Sequence, residues 1–213
     1  AQGSRTLAEV PFAVHVWDFA LSDRSHVAAI YDVRLGHGAK LWGKSLDETY
    51  PELVRFMARR RLCPDAIRPA PVFQYKDGRA TADFTEFDKA AAWYFDELGM
   101  PYSYTPWHFY LFGWGHPPKP YFGQKPYAGE YPYEGADRSR LRPEYKQAYQ
   151  ACLRLFWDHL KEKGWDKKVV LYISDEPHYR QEGIIPQMKA LCAMIHQVDP
   201  AIPIYSSTWR HVP

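Results

Sequence analysis

The chain has 213 residues, 46% hydrophobic and 24% charged, which is ordinary globular composition with enough apolar material for a sizeable core. Its 27 basic and 25 acidic side chains leave a net charge of +2 with the signs interleaved, which argues against nucleic acid or an anionic membrane surface as partner. No apolar run approaches the roughly 18 residues that cross a bilayer, and AQGSRTLAEV at the start lacks the layout of a signal peptide.

In chain order, Val10 to Phe19 alternates as a half-buried strand does, and Leu21 to Ser25 breaks it. His26 to Val33 (HVAAIYDV) reads as the first strand of a regular series. A helix is predicted from about Asp47 to Arg61, with apolar positions at Leu46, Tyr50, Leu53, Phe56 and Met57. Asp65 to Tyr75 is a second extended segment, broken by Pro69 and Pro71. Phe84, Phe87, Ala91, Tyr94, Phe95 and Leu98 then trace a helical face closed by Gly99. Met100 to Trp107 is a third strand candidate.

From Tyr102 to Tyr133 the chain packs twelve aromatics, six prolines and four glycines into 32 residues. That reads as a long loop rather than a helix or strand, and its aromatic load argues against disorder. Pro143 opens a helix whose stripe of Tyr145, Ala148, Tyr149, Cys152, Phe156 and Leu160 runs to Gly164. Lys168 to Ser174 has the composition of a strand buried on both sides, Ile184 to Val198 is a helix, and Ile202 to Trp209 is the fifth strand. Cys63, Cys152 and Cys192 are too scattered for a disulfide framework and read as small buried hydrophobes, a single disulfide between two of them being the alternative.

Strands and helices that alternate in this way give a parallel α/β sheet, either doubly wound or closed. No GxGxxG turn follows the first strand, so a (β/α)8 barrel is the better expectation. A full barrel needs about 250 residues, so the chain is expected to be part of a larger protein. Residues 1–23 would end a preceding β domain and its linker. Residues 24–213 would form the N-terminal part of the barrel, about five of its eight units.

The chemistry of such barrels sits where strands end. There the fourth strand offers Asp175 and Glu176, followed by Pro177, which is expected to hold Glu176 extended. Adjacent carboxylates repel, and burial raises the pKa of at least one, which divides them into an acid and an anion suited to glycosidic bond cleavage. A solvated loop, or a metal site with His178, are the competing readings. Flat rings with polar tips suit sugars, which makes Trp107, Tyr110, Trp114, Tyr172 and Trp209 candidates to line the site. His108, Asp32 and Arg34 are candidates to hydrogen-bond sugar hydroxyls. No cofactor is expected.

The segments VPFAVHVWDFALSDRSH, RLCPDAI and LYISDEPH together resemble the catalytic domain of glycoside hydrolase family 123. Ser22 stands where that pattern has proline. The resemblance implies a β-sandwich ahead of a (β/α)8 barrel, and removal of β-linked N-acetylhexosamine, with N-acetylgalactosamine the implied sugar. It implies a substrate-assisted retaining mechanism, with Asp175 orienting the 2-acetamido group and Glu176 as acid and base. A carbohydrate partner and a secreted or periplasmic location follow from the same likeness. Two rivals stand beside it: a covalent retaining glycosidase with Glu176 as acid/base and its nucleophile elsewhere, and a carbohydrate-binding barrel without activity.

Overall fold

The computed structural model describes residues 3, 5–22, 27, 29–34, 36, 40 and 42–207. Its strands and helices alternate. Strand β1 (Ile30–Tyr31) leads to helix α1 (Leu46–Ala58) and β2 (Cys63–Pro64), then to the β3 (Val72–Lys76) and β4 (Arg79–Asp83) hairpin. Helix α2 (Thr85–Ala92) continues into a wider-wound turn at Trp93–Glu97, followed by β5 (Ser103–Tyr104) and β6 (Phe112–Gly113). Helix α3 (Pro143–Lys163), β7 (Val169–Asp175), α4 (Ile184–His196) and β8 (Ile204–Ser206) complete the series.

β1 pairs in parallel with β2, and Ala66 just past β2 bridges in parallel to Tyr104 of β5. β5 and β8 flank β7, both parallel to it. The strands therefore follow one another in the order β1, β2, β5, β7, β8, with a helix in each connection. They form a mixed α/β architecture, with no closed barrel among the described residues.

Local chemistry explains the helices. Ser45 caps α1 through a reciprocal box with Glu48, whose carboxylate accepts from the Ser45 amide at 2.9 Å and whose amide donates to the Ser45 hydroxyl at 3.3 Å. Those bonds lower the Glu48 pKa. Pro143 starts α3 where no amide is needed, and Gly164 ends it at φ 72, a left-handed turn that glycine adopts without strain.

The buried face of α3 is the stripe read from sequence, joined by Leu153 and Trp157. Phe156 on that face packs with Phe73, Phe87 and Phe109 at ring separations of 6.3, 5.7 and 5.5 Å. Truncation there to alanine would cost about 3–5 kcal/mol. On β7, Val169, Leu171 and Ile173 are buried in the main core, while Val170 and Tyr172 on the other face are only partly covered.

Several expectations need correction. Val10 to Phe19 forms no strand: Val10 and Phe12 are 83% and 88% exposed, because an alternating segment becomes a strand only against a partner edge. The second extended segment divides in two. Its series strand is only Cys63–Pro64, and Val72–Lys76 belongs instead to an antiparallel hairpin that packs against α3.

The aromatic segment is not all loop either. After β5 it makes a tight turn at Trp107–Phe109 and then rejoins β7 through β6, with Phe112 opposite Ser174 and Gly113 opposite Asp175. The third strand thus runs along the whole of β7 with an excursion at 106–110. All three cysteines are free. Trp209 lies outside the described residues.

Candidate active site

Tyr172 and Asp175 lie three apart on β7, and in a regular strand an odd spacing sends side chains to opposite faces. Here the register against β8 shifts between Tyr172, paired with Tyr205, and Ser174, paired with Ser206. This bulge reverses the alternation. The Tyr172 hydroxyl therefore reaches Asp175 and donates to its Oδ1 at 3.0 Å. Ser207, just past β8, donates to the same oxygen at 2.6 Å and accepts from the Glu176 amide at 3.1 Å. Asp175 Oδ2 has no hydrogen-bond partner among the described residues, and the carboxylate forms no ion pair there.

Glu176 differs from its neighbour and from expectation. Its φ is 39°, so it is not extended. Pro177 disfavours the right-handed helical region for the residue before it, and the amide bond to Ser207 turns the chain sharply off the strand. A side chain in this left-handed region carries strain of about 1–3 kcal/mol, a feature that clusters at functional sites. The Glu176 carboxylate has no hydrogen bond or ion pair among the described residues.

Rings surround Asp175. Tyr172 stacks on Tyr104 at 4.8 Å and lies 5.5 Å from Tyr205, one tyrosine from each of three adjacent strands. The excursion in the third strand adds Trp107 at 6.0 Å and Tyr110 at 5.4 Å from the Tyr172 ring. A Cβ on Gly113 would stand 3.0 Å from the Tyr110 hydroxyl and 3.9 Å from Asp175 Cβ, so glycine opposite Asp175 is what admits the phenol. Burial pushes the Tyr172 and Tyr110 hydroxyls up, and the Asp175 charge adds to both. They stay protonated, as donors. Burial with the neighbouring Tyr205 pushes Tyr104 up to about 12.

The remaining sequence candidates sit further out. Arg34 Nε donates to Asp32 at 2.7 Å just past β1. That bond raises the Arg34 pKa, and the charge of Asp175 reaches it as well, which puts the pair on the same side of the sheet. The His108 ring packs on Phe73 at 5.5 Å, and burial lowers its pKa. Trp114 donates its amide to Asp175 O at 2.8 Å and accepts from the His178 amide at 3.1 Å, yet its indole is 50% exposed beside His116. It lines a separate 1110 Å³ cleft with His116, Tyr131, Arg138, His178 and Gln181. Among the described residues no group of His, Cys, Asp or Glu is arranged to hold a metal ion.

Sequence reading passed over Ser207, Tyr104 and Tyr205. The tyrosines had a signal: SYT, LYI and IYS place one at matching positions in three successive strands. Ser207 had none, since its role depends on the bulge.

The family model for glycoside hydrolase 123, catalytic domain, matches residues 70–210, a span that holds Asp175, Glu176 and the whole ring cluster. No curated protein matches the chain. No helix among the described residues is long and apolar enough to cross a membrane. The chain belongs to glycoside hydrolase family 123, and its chemistry is therefore that of a glycoside hydrolase acting on carbohydrate.

Proposed function

We propose that the protein removes β-linked N-acetylhexosamine, N-acetylgalactosamine in the first place, by a substrate-assisted retaining mechanism. The observation that carries this reading is the unequal holding of the two carboxylates. Asp175 is fixed through Oδ1 by two hydroxyl donors and keeps Oδ2 open, while the Glu176 carboxylate is unengaged.

An acceptor fixed in this way suits the N–H of a 2-acetamido group. With that N–H on Asp175 Oδ2, the acetamido oxygen attacks the anomeric carbon as the bond to the leaving oxygen breaks. Glu176 gives its proton to the leaving oxygen, which completes the departure of the aglycone and leaves a bicyclic oxazolinium. Water then attacks the anomeric carbon, Glu176 takes its proton, and the acetamido group re-forms with retained configuration. Positive charge develops on the ring nitrogen beside the Asp175 carboxylate, where a preorganised anion acts most strongly. Tyr110 and Tyr172 would supply donors and flat surface to the sugar.

Adjacency favours this reading over a covalent one. In covalent retaining enzymes the two carboxyl groups straddle the anomeric carbon about 5–5.5 Å apart. Here the nucleophile belongs to the substrate, so consecutive residues suffice. We read the parallel series as about five of the eight units of a (β/α)8 barrel, with residues 1–23 belonging to a preceding β domain and the enzyme exported.

Aryl β-N-acetylgalactosaminides with zero to three fluorines on the acetyl methyl test the mechanism. Each fluorine weakens the acetamido oxygen as a nucleophile, so kcat/KM should fall steadily along the series. A flat response would remove the substrate from the role of nucleophile.

A further inference from the structure

The largest cleft lies beside the ring cluster, not within it. Its walls are the Trp114–Pro117 turn, the 131–138 segment and the loop from His178 to Pro186. Two of its linings, Trp114 and His178, are bonded to each other through their backbones, and the Trp114 amide is bonded to Asp175 O. Glu176 lies in the chain between the carboxylate that faces the tyrosines and the histidine that lines the cleft.

From this geometry we infer that the Trp114–Tyr131 cleft binds the aglycone, and that the aglycone is an uncharged saccharide of more than one sugar. The inference rests on the reading of Glu176 as proton donor, because a leaving oxygen must lie at that donor with the sugar on one side and the aglycone on the other.

The cleft is built rather than incidental. Trp114 is held at φ 52, in the left-handed region. A Cβ on Gly115 would overlap the Gln181 amide, and one on Gly183 would stand 2.9 Å from Arg138 Cδ. Glycine at both points lets opposite walls interlock. Tyr131 is 59% exposed, and its hydroxyl is fixed by His116 Nδ1 at 3.1 Å. Trp114, His116 and Tyr131 thus present a row of open rings with polar tips, the surface that suits a sugar's alternating C–H and hydroxyl faces. The volume of 1110 Å³ lies at the top of the about 300–1,000 Å³ usual for small-molecule sites, with room for several sugars.

Charge selects the neutral class. Glu134, Asp137 and Glu182 line the walls, and Arg138 is the only Lys or Arg among the lining residues. Its Nη1 is turned onto Gly115 O at 3.2 Å and Gln187 Oε1 at 3.5 Å. A sulfated or uronic-acid aglycone would meet carboxylates and no free guanidinium.

The test compares two substrates of the full-length protein, each ending in β-linked N-acetylgalactosamine, one on p-nitrophenol and one on an uncharged trisaccharide. The kcat/KM ratio of saccharide to aryl substrate should fall roughly tenfold or more in Tyr131→Ala, the loss typical of one well-placed ring. An unchanged ratio in both Tyr131→Ala and Trp114→Ala overturns the proposal. A sulfated trisaccharide substrate turned over as well as the neutral one overturns the charge argument. Binding is read separately, by saturation-transfer NMR of the free neutral trisaccharide on Glu176→Gln. Transfer should be lost when Tyr131→Ala is added, and undiminished transfer contradicts the cleft. If the wild type cleaves neither substrate, the hydrolase reading fails, and the NMR experiment still decides the cleft.

Discussion

Asp65 follows β2 and Asp175 ends β7, so two aspartates stand where parallel strands of one sheet finish. Asp65 is wholly buried, and its Oδ2 accepts from the Val33 amide at 3.1 Å and from Arg68 Nη2 at 3.0 Å. Arg68 also donates to Val33 O at 3.2 Å, so the carboxylate and the guanidinium together tie the end of β1 to the end of β2. Asp175 is partly exposed and is held by hydroxyls alone. A carboxylate matched to a cation is committed to the fold. One held through a single oxygen by neutral donors is positioned and still has charge to offer a ligand.

The largest expected difference between these strand ends is in rate. Glu176→Gln removes the proton donor beside Asp175, and kcat on an aryl N-acetylgalactosaminide should fall by about 10²–10⁴-fold. The melting temperature should hold, since the Glu176 carboxylate bonds nothing among the described residues. Asp65→Asn should do the reverse. It leaves Arg68 without its charge partner, which costs about 1–3 kcal/mol of stability in denaturant unfolding, while kcat measured well below the melting temperature stays as in the wild type. Equal loss of activity in both variants would break the comparison.

Smaller still is Ser207→Ala. It removes one of two donors from Asp175 Oδ1 and the acceptor for the Glu176 amide. A hydrogen bond to a charged group is worth about 1.5–3 kcal/mol, so a loss of roughly tenfold in kcat is expected. Ser207→Thr, which keeps the hydroxyl, should restore most of it.

The pH dependence of stability sharpens the contrast. Burial raises Asp65 to about 6, against the opposing pull of Arg68 and the Val33 amide. The unfolded chain releases this proton near its ordinary value of about 3.9. The folded chain therefore holds more protons between those values, and by linkage stability is greatest below about 4 and declines as pH rises to about 6. Unfolding curves of Asp65→Asn should lack that decline.

How much of this was legible in sequence depended on length and on partners. Helix α3 could be read from Pro143, Gly164 and a stripe repeated over several turns, and β7 from an unbroken apolar run. Strands of two residues such as Cys63–Pro64 and Phe112–Gly113 carry no period, so the excursion that brings Trp107 and Tyr110 to Tyr172 left no pattern. The stretch from Val10 to Phe19 shows the converse, since it alternates well and is exposed. At the site, the carboxylates could be located from LYISDEPH, but how they are held could not. The bulge at Ile173 that turns Asp175 toward Tyr172 and Ser207 is a property of two strands, and Glu176 takes its left-handed turn against the plain expectation for a residue before proline.

The central claim is that Asp175 is held to receive an acetamido N–H. Calorimetric titration of the galacto-configured thiazoline, a stable mimic of the oxazolinium, tests it most directly. The account predicts submicromolar binding by the wild type and a loss of at least about a hundredfold in Asp175→Asn, as expected for a group whose contact forms fully only with the cyclised species. Wild-type protein indifferent to the thiazoline, or equal affinity in the two proteins, would contradict it.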